Sequence, residues 1–521
     1  MAAEPTFVIA GPVWPDVQHL TACDVTGGKD LVVRSRKDYQ MGEAADVMHR
    51  KIGAFNAHDA KETPAVFSPN RKKEPSGAGL HGAEGRVVRR SFCALDEASY
   101  WLDSVAEPCS VHLEVRLSGT VDEDRLRRAV RMALARYPRA RARATISPRW
   151  RARYEWEITS VPQVDPLEVV ECFDDEDLQS ARTDLQSSTV PLITSPPLRI
   201  RLAHHRDGDA VMLNLHHAAG DGIAALDLLR CIACAYAGTP NPMPAVGPGD
   251  VEIPAPTGRW TQCRALAGEL CQAGRRAVHL VPTGGDDRAG YGLYHLVLDP
   301  AHTAALRTHA AAGTTVNDLL LAGLHMALNS WHVEHGGAAG RLSVLMPVNL
   351  RPQPSWYEGF GNGTFMVPVA TRPEDRSDPT AIVTTIRRRT RRIKDRRTPA
   401  AVVRLLEVLQ NLPLPIKRNI ARLVTCERAM PTAILSNLGR LAEGLHFGAG
   451  LRAREVWFSP PARMPMGLAI GSVTAEGRLH LVFRYRHPLF GPAEVAAFAD
   501  RYVSALGQVA AGAHSPATRQ D

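Results

Sequence analysis

Residues 198 to 222 read LRIRLAHHRDGDAVMLNLHHAAGDG, and this stretch restricts the fold more than any other. Leu198, Ile200 and Leu202 alternate with other residues, and so do Val211, Leu213 and Leu215. Such alternation puts the apolar side chains on one face of a strand. Asp207-Gly208 lies between the two runs and suits a hairpin turn. Asp221-Gly222 then opens the apolar run GIAALDLLRCIACAYAG, which reads as a buried helix. The segment is therefore expected to run strand, turn, strand, loop, helix.

Within it, a His-His pair is followed by Asp-Gly twice, after one residue and then after three. The first pair, His204-His205, is expected on the shoulder of the hairpin turn, in water. The second, His216-His217, ends a strand. Neighbours on a strand point to opposite faces, so one of these two histidines is free to face a cavity. Gly220 and Gly222 are expected to permit a tight turn that brings Asp221 back to the pair.

Similar patterns occur on both sides. CSVHLEVRLSG alternates Val111, Leu113, Val115 and Leu117 as a half-buried strand. Thr120 and Glu123 have capping-box spacing before a helix whose Leu126, Val130, Leu134 and Tyr137 share a face until Pro138. YHLVLD reads as a strand, PAHTAALRTHAAA as a helix, and TTVNDLLLAGLHMALNSWH as a second helix capped by Thr315 and Asp318. RLSVLMPVNL, GTFMVPVAT, PTAILSNLG, GLAIGSV and LHLVFRYR read as strands, and GPAEVAAFADRYVSALGQVA as an amphipathic helix. Pro- and Gly-rich stretches near residues 238 to 261 and 282 to 292 mark a boundary. The expected organisation is an N-terminal extension over 1–90, partly disordered or a small accessory element, then lobes over 91–281 and 282–515. Both lobes mix strands and helices, an α/β (α+β) class.

The bulk composition narrows the function. Hydrophobic residues are 45% and charged residues 22%, the proportions of a soluble globular protein, and no apolar run reaches membrane-spanning length. The N-terminus has Glu4 and no Lys or Arg before its short apolar stretch, against a secretory signal. The expected location is cytoplasmic. Nine scattered cysteines do not look like a disulfide framework. Cys231 and Cys234 form a lone CxxC, read as buried thiols because a structural zinc needs four ligands. No metal site is expected. Residues 386 to 397, IRRRTRRIKDRR, carry eight Lys or Arg against one Asp, so this strip holds +7 of a net +8. The favoured reading is a solvated helix face, and without interleaved aromatics nucleic acid is not an expected partner.

HHAAGDG, from His216 to Gly222, resembles the HHxxxDG signature of the chloramphenicol-acetyltransferase-like superfamily. That group holds nonribosomal-peptide condensation domains, polyketide-associated acyltransferases and wax ester synthases. RSFCALDEASYWLDS resembles the opening helix of condensation-type domains, FGNGTFMVPVATR one of their later strands, and TTVNDLLLAGLHMAL, VLMPVNLRP and ILSNLGRL parts of the wax-ester-synthase branch. The resemblance spans roughly residues 91 to 512. It implies two lobes forming a V around a central substrate tunnel, in a free-standing monomer. It implies an acyl or aminoacyl transfer from a phosphopantetheine thioester, on CoA or a carrier protein, to an amine or hydroxyl acceptor. No permanently bound cofactor is implied. His217 would be the catalytic base, with His216 packed beside it or assisting. Asp221 would pair with Arg351 of PVNLRP, and Gly222 would let the loop turn or substrate approach. Asn437 of SNLG and Asn362 of FGNG would polarise the thioester or shape the tunnel. The arginine strip would meet CoA phosphates or an acidic carrier protein. Two alternatives stand beside this reading: a catalytically silent carrier-binding scaffold, and an epimerase-like relative.

Overall fold

The computed structural model describes residues 88–146, 154–241, 276–310, 313–352, 360–395, 398–424, 430–441, 445–448 and 450–512. The expectations for residues 1 to 87 and for the Pro-rich stretch from 242 to 275 lie outside the described residues.

The chain runs β1 (Val88–Ser91), α1 (Ala94–Leu102), β2 (Ser110–Leu117), α2 (Glu123–Arg136), β3 (Ala142–Ile146), β4 (Tyr154–Ile158) and β5 (Leu167–Cys172). It continues with α3 (Asp175–Ser187), β6 (Leu198–His205), β7 (Ala210–His216) and α4 (Gly222–Ala237). After the undescribed stretch come β8 (Tyr291–Leu298), α5 (Pro300–Ala310), α6 (Val316–Glu334), β9 (Leu342–Asn349) and β10 (Thr364–Thr371). The last part holds α7 (Pro379–Asp395), α8 (Thr398–Leu409), α9 (Leu414–Val424), β11 (Ala433–Arg440), β12 (Ala453–Ser459), β13 (Leu468–Ala475), β14 (Arg478–Arg486) and α10 (Pro492–Gly512).

These elements build three sheets: β1-β4-β3, the six-stranded β10-β9-β11-β13-β14-β8, and the five-stranded β12-β2-β7-β6-β5. The expected α/β class and the hairpin of β6 and β7 are both present. On β2, Val111, Leu113, Val115 and Leu117 point into one core with Leu126, Val130 and Leu134 of α2 and the apolar face of α4. Burying each such side chain contributes roughly 1.5–3 kcal/mol. The second core lies between the six-stranded sheet and α6 and α10, where Leu435, Leu468, Ile470 and Leu481 meet Leu320, Phe498 and Tyr502.

Two helix starts contrast. Thr315 and Asp318 form the expected reciprocal capping box on α6. For α2 the cap is Asp122, not Thr120: its carboxylate accepts the Arg125 N–H at 2.6 Å. An ionised carboxylate next to the first turn also meets the positive end of the helix dipole. The arginine strip forms part of α7. Ile382, Val383 and Ile386 are buried in the second core, Arg389 is tied to Asp375 at 2.8 Å, and Arg388, Arg391, Arg392 and Lys394 are exposed.

Strand β12 was not legible as a strand, and it crosses the expected boundary at residue 282. It pairs antiparallel with β2, Val456 opposite Val115 and Phe458 opposite Leu113, and so completes a sheet whose other strands end by residue 216. The crossing passes directly over β13. A Cβ at Gly471 would run into the Phe458 carbonyl oxygen, so only glycine lets the two strands approach this closely. Gly471→Ala is therefore expected to destabilise the fold by about 1–3 kcal/mol, read as a lower urea midpoint at unchanged slope.

Candidate active site

The hairpin delivers both histidine pairs. At the first pair, Gly208 adopts φ 110°, and its N–H closes the turn onto the His205 carbonyl at 2.9 Å. The expectation that this pair sits in water fails. The His205 ring is fully buried, and Asp209 behind it accepts the His205 N–H at 3.2 Å, pairs with His204 Nδ1 at 2.7 Å and accepts the Val121 N–H at 2.7 Å. A buried carboxylate needs such donors, and the histidines supply them.

The second pair sits where β7 ends. The ladder continues one residue beyond the strand, with the His217 N–H donating to the Cys109 carbonyl at 2.9 Å, and then the chain turns into α4. Asp221 is the N-cap of α4, and its carboxylate accepts the Ile223 and Ala224 N–H groups, each at 3.1 Å. It also accepts the Gly363 N–H at 2.9 Å and two guanidinium bonds from Arg351, Nη1 at 2.9 Å and Nη2 at 3.1 Å. Arg351 in turn donates to the Gly361 carbonyl at 3.0 Å. Both side chains of the pair are 1% exposed. Burial alone would raise the Asp221 pKa, but the Arg351 charge and the backbone N–H bonds outweigh it and hold the carboxyl below its ordinary value.

The glycines act differently from the expectation. Neither Gly220 nor Gly222 lies in the left-handed region. Gly222 is needed for close approach: a Cβ there would stand 2.9 Å from Leu438 Cδ2 and 3.0 Å from Phe458 Cε2. Gly363 leaves room for Arg351, whose Nη1 would lie 2.6 Å from an added Cβ.

The two histidines have separate environments. His216 is buried, its Nδ1 accepts the Ala218 N–H at 3.0 Å, and its Nε2 lies 3.4 Å from Asp103 Oδ2. Both of its ring nitrogens are engaged inside the protein, one with the loop backbone at Ala218 and the other with Asp103. His217 is partly buried, with Nδ1 3.4 Å from the Ser99 hydroxyl and no partner for Nε2 among the described residues. Desolvation lowers its pKa, against the raising pull of Asp221 and of hydrogen bonds that the ring donates to its own backbone carbonyl and to the Asn362 side chain. At neutral pH its imidazole is thus the uncharged, proton-accepting form.

Asn362 joins the site, but its amide is spent within the protein. Its Nδ2 lies 2.9 Å from the His217 carbonyl, 3.0 Å from that of Ala218 and 2.9 Å from Asp96 Oδ1. Asn437 is elsewhere. It belongs to β11, on the face of the sheet opposite Leu438, which touches Gly222. Its Oδ1 accepts the Gly439 N–H at 2.8 Å, and it lines a cavity of about 120 Å³ with Thr303, Leu306 and Val316.

The residue that sequence reasoning passed over is Asp96. It is fully buried in α1, where it accepts from Arg139, from Trp156 Nε1 at 2.9 Å and from Asn362. The signal was present in DEASYWLD: Asp96, Ser99 and Asp103 lie three and four residues apart, which is one helical face. Cys231 and Cys234 are free thiols on α4, and no group of three metal-ligating side chains occurs among the described residues. No helix among them is long and apolar enough to cross a membrane.

The chain matches no family model. Over 430 residues it is 32% identical to the uncharacterized protein Rv2305 of Mycobacterium tuberculosis, covering 79% of this chain and 98% of that one. The chain belongs to that protein's family. A more distant relative from the same organism, the putative diacylglycerol O-acyltransferase Rv2484c, is 26% identical over 353 residues, 58% of this chain and 69% of the relative. Among solved structures, the condensation domain of the Monacolin K polyketide synthase MokA superposes with a TM-score of 0.58 at 14% identity, over 82% of this chain and 98% of that domain. The first condensation domain of the CDA synthetase gives 0.56 at 17% identity, over 81% and 96%. The epimerization domain of tyrocidine synthetase B gives 0.55 at 15%, over 83% and 100%. At such identities the likeness establishes the fold, the chloramphenicol-acetyltransferase-like one that the sequence resemblance implied.

The buried pair supplies a test. Asp221→Ala leaves the Arg351 guanidinium without its carboxylate in a desolvated site, and is expected to cost about 3–5 kcal/mol in chemical denaturation. The double variant Asp221→Leu with Arg351→Met is expected to recover part of that loss, because no charge then remains buried.

Proposed function

We propose that this protein is a condensation-type acyltransferase. It moves an acyl or aminoacyl group from a phosphopantetheine thioester, acyl-CoA or acyl carrier protein, to an amine or hydroxyl acceptor, with His217 as general base. The observation that carries this reading is the His217 ring: neutral, partly exposed, and with Nε2 unpartnered among the described residues. The acyltransferase named among the relatives and the condensation-domain fold agree with it.

In the proposed reaction, Nε2 accepts the acceptor's proton as its oxygen or nitrogen attacks the thioester carbonyl. The tetrahedral oxyanion collapses, the carbon–sulfur bond breaks, and the departing thiolate takes the proton from the imidazolium. The ester or amide and a free thiol leave together, and the histidine ends neutral. A base near the working pH suits this exchange because it must both take and return one proton. Asp221, held by Arg351 and by the α4 amides, fixes the loop and takes no proton. The segments 91–281 and 282–515 act as the two lobes around the reacting groups, with β12 exchanged between them.

Purified protein incubated with a panel of acyl-CoAs and loaded carrier proteins, plus mixed amines and alcohols, is expected to yield a product identified by intact mass. His217→Ala is expected to lower the rate by about 10²–10⁴-fold. Tight carrier binding with no product from any donor, unchanged by His217→Ala, would instead indicate a scaffold. The pH profile follows from the same ring. Protonation of His217 stops the reaction, and its pKa is held below the ordinary imidazole value, so the acid limb of kcat/KM is expected to be centred below that value of about 6.5. An acid limb centred above pH 7 would contradict His217 as the base.

A further inference from the structure

One stripe of α1 reaches the histidine loop at three points. Near its start, Asp96 holds the Asn362 amide, which grips the carbonyls of His217 and Ala218. At its end, Asp103 accepts the Cys109 N–H at 2.8 Å and faces His216 Nε2, while the Cys109 carbonyl takes the His217 N–H. Midway between them, the Ser99 hydroxyl meets the ring of His217 itself, at Nδ1. The helix is anchored from its other side, where Glu97 pairs with Lys417 at 2.6 Å and accepts from Gln410 at 3.2 Å. Ser99 is thus presented by a helix fixed at several points, not by a free loop.

The carboxylates nearby are committed elsewhere. Asp221 spends its oxygens on Arg351 and three backbone N–H groups, Asp96 on Arg139, Trp156 and Asn362, and Asp103 on Cys109 and His216. We propose that Ser99 is a positioning residue for His217: together with the ring's own backbone carbonyl, its oxygen accepts the Nδ1–H and so favours the tautomer whose Nε2 carries the lone pair. This inference rests on the reading of His217 as a base. A hydroxyl at this place has a consequence that a carboxylate would not. It orients the ring without adding negative charge, so it does not stabilise the imidazolium in a desolvated site. The arrangement favours a ring that stays neutral until the acceptor's proton arrives.

The test separates tautomer from turnover. Protein labelled with 15N-histidine is expected to show His217 with Nδ1 protonated and Nε2 bare. Ser99→Ala preserves helix propensity, and is expected to give a mixture of tautomers and a kcat about five- to tenfold lower at unchanged KM. Ser99→Thr keeps the hydroxyl and is expected to restore both readouts. An unprotonated Nδ1 in the wild type, or an unchanged tautomer and kcat in Ser99→Ala with thermal stability intact, would overturn the proposal. If the wild type turns over no donor, the acyl-transfer reading fails, while the nitrogen spectra still decide whether Ser99 sets the tautomer.

Discussion

Asp221 is the residue on which the rest of the site depends. Its carboxylate joins the end of β7, the first turn of α4, the loop at Gly363 and, through Arg351, the segment that follows β9. A carboxylate taken out of water must be compensated almost completely, and here two helix amides, one loop amide and a bidentate guanidinium do so. The aspartate that sequence reasoning takes as part of a catalytic signature is therefore the brace, and the histidine four residues earlier is the group that it leaves free. Geometry separates the roles: the braced residue is 1% exposed, whereas the ring of His217 retains an open nitrogen among the described residues.

The same brace occurs at the other end of the hairpin. Asp209 is buried, accepts two backbone N–H groups and pairs with His204, much as Asp221 takes its donors behind His217. The sequence hints at this duplication but pairs the wrong residues, because Asp207 of the Asp-Gly turn is exposed while Asp209, two positions later, is the carboxylate that turns inward. What differs is the outcome for the histidines. At the turn both rings are engaged with neighbouring side chains or backbone; at the strand end His216 is held at both ring nitrogens, whereas His217 meets the Ser99 hydroxyl at Nδ1 alone.

The clean alternation of Val111, Leu113, Val115 and Leu117 made β2 easy to read as a strand, but the half-buried strand that it implied is covered on both faces, because His112 and Glu114 are buried as well. The capping box of α6 was equally plain. β12 was missed because AREVWFS has no clean alternation: its Val456 and Phe458 enter one core while Trp457 is buried on the other face. Asn437 was legible in principle. It neighbours Leu438 on one strand, so once Leu438 faces Gly222 the asparagine must point away. The contacts of α1 were harder, because a carboxylate at Asp96 reads as a solvated first-turn residue until its partners Arg139, Trp156 and Asn362 converge from far along the chain. Local patterns reveal an element's faces, and the partner of a face depends on topology.

The position of β12 also sets an order of events. The five-stranded sheet begins at residue 110, yet its edge beside β2 is covered only by residues 453 to 459 of a 521-residue chain. During synthesis, β2 leaves the ribosome with one row of amides and carbonyls unpaired for more than three hundred residues. At roughly 5–20 residues per second that interval lasts tens of seconds, long enough for an open edge to meet other chains. The first half of this protein is in that sense an unfinished sheet until its last quarter emerges.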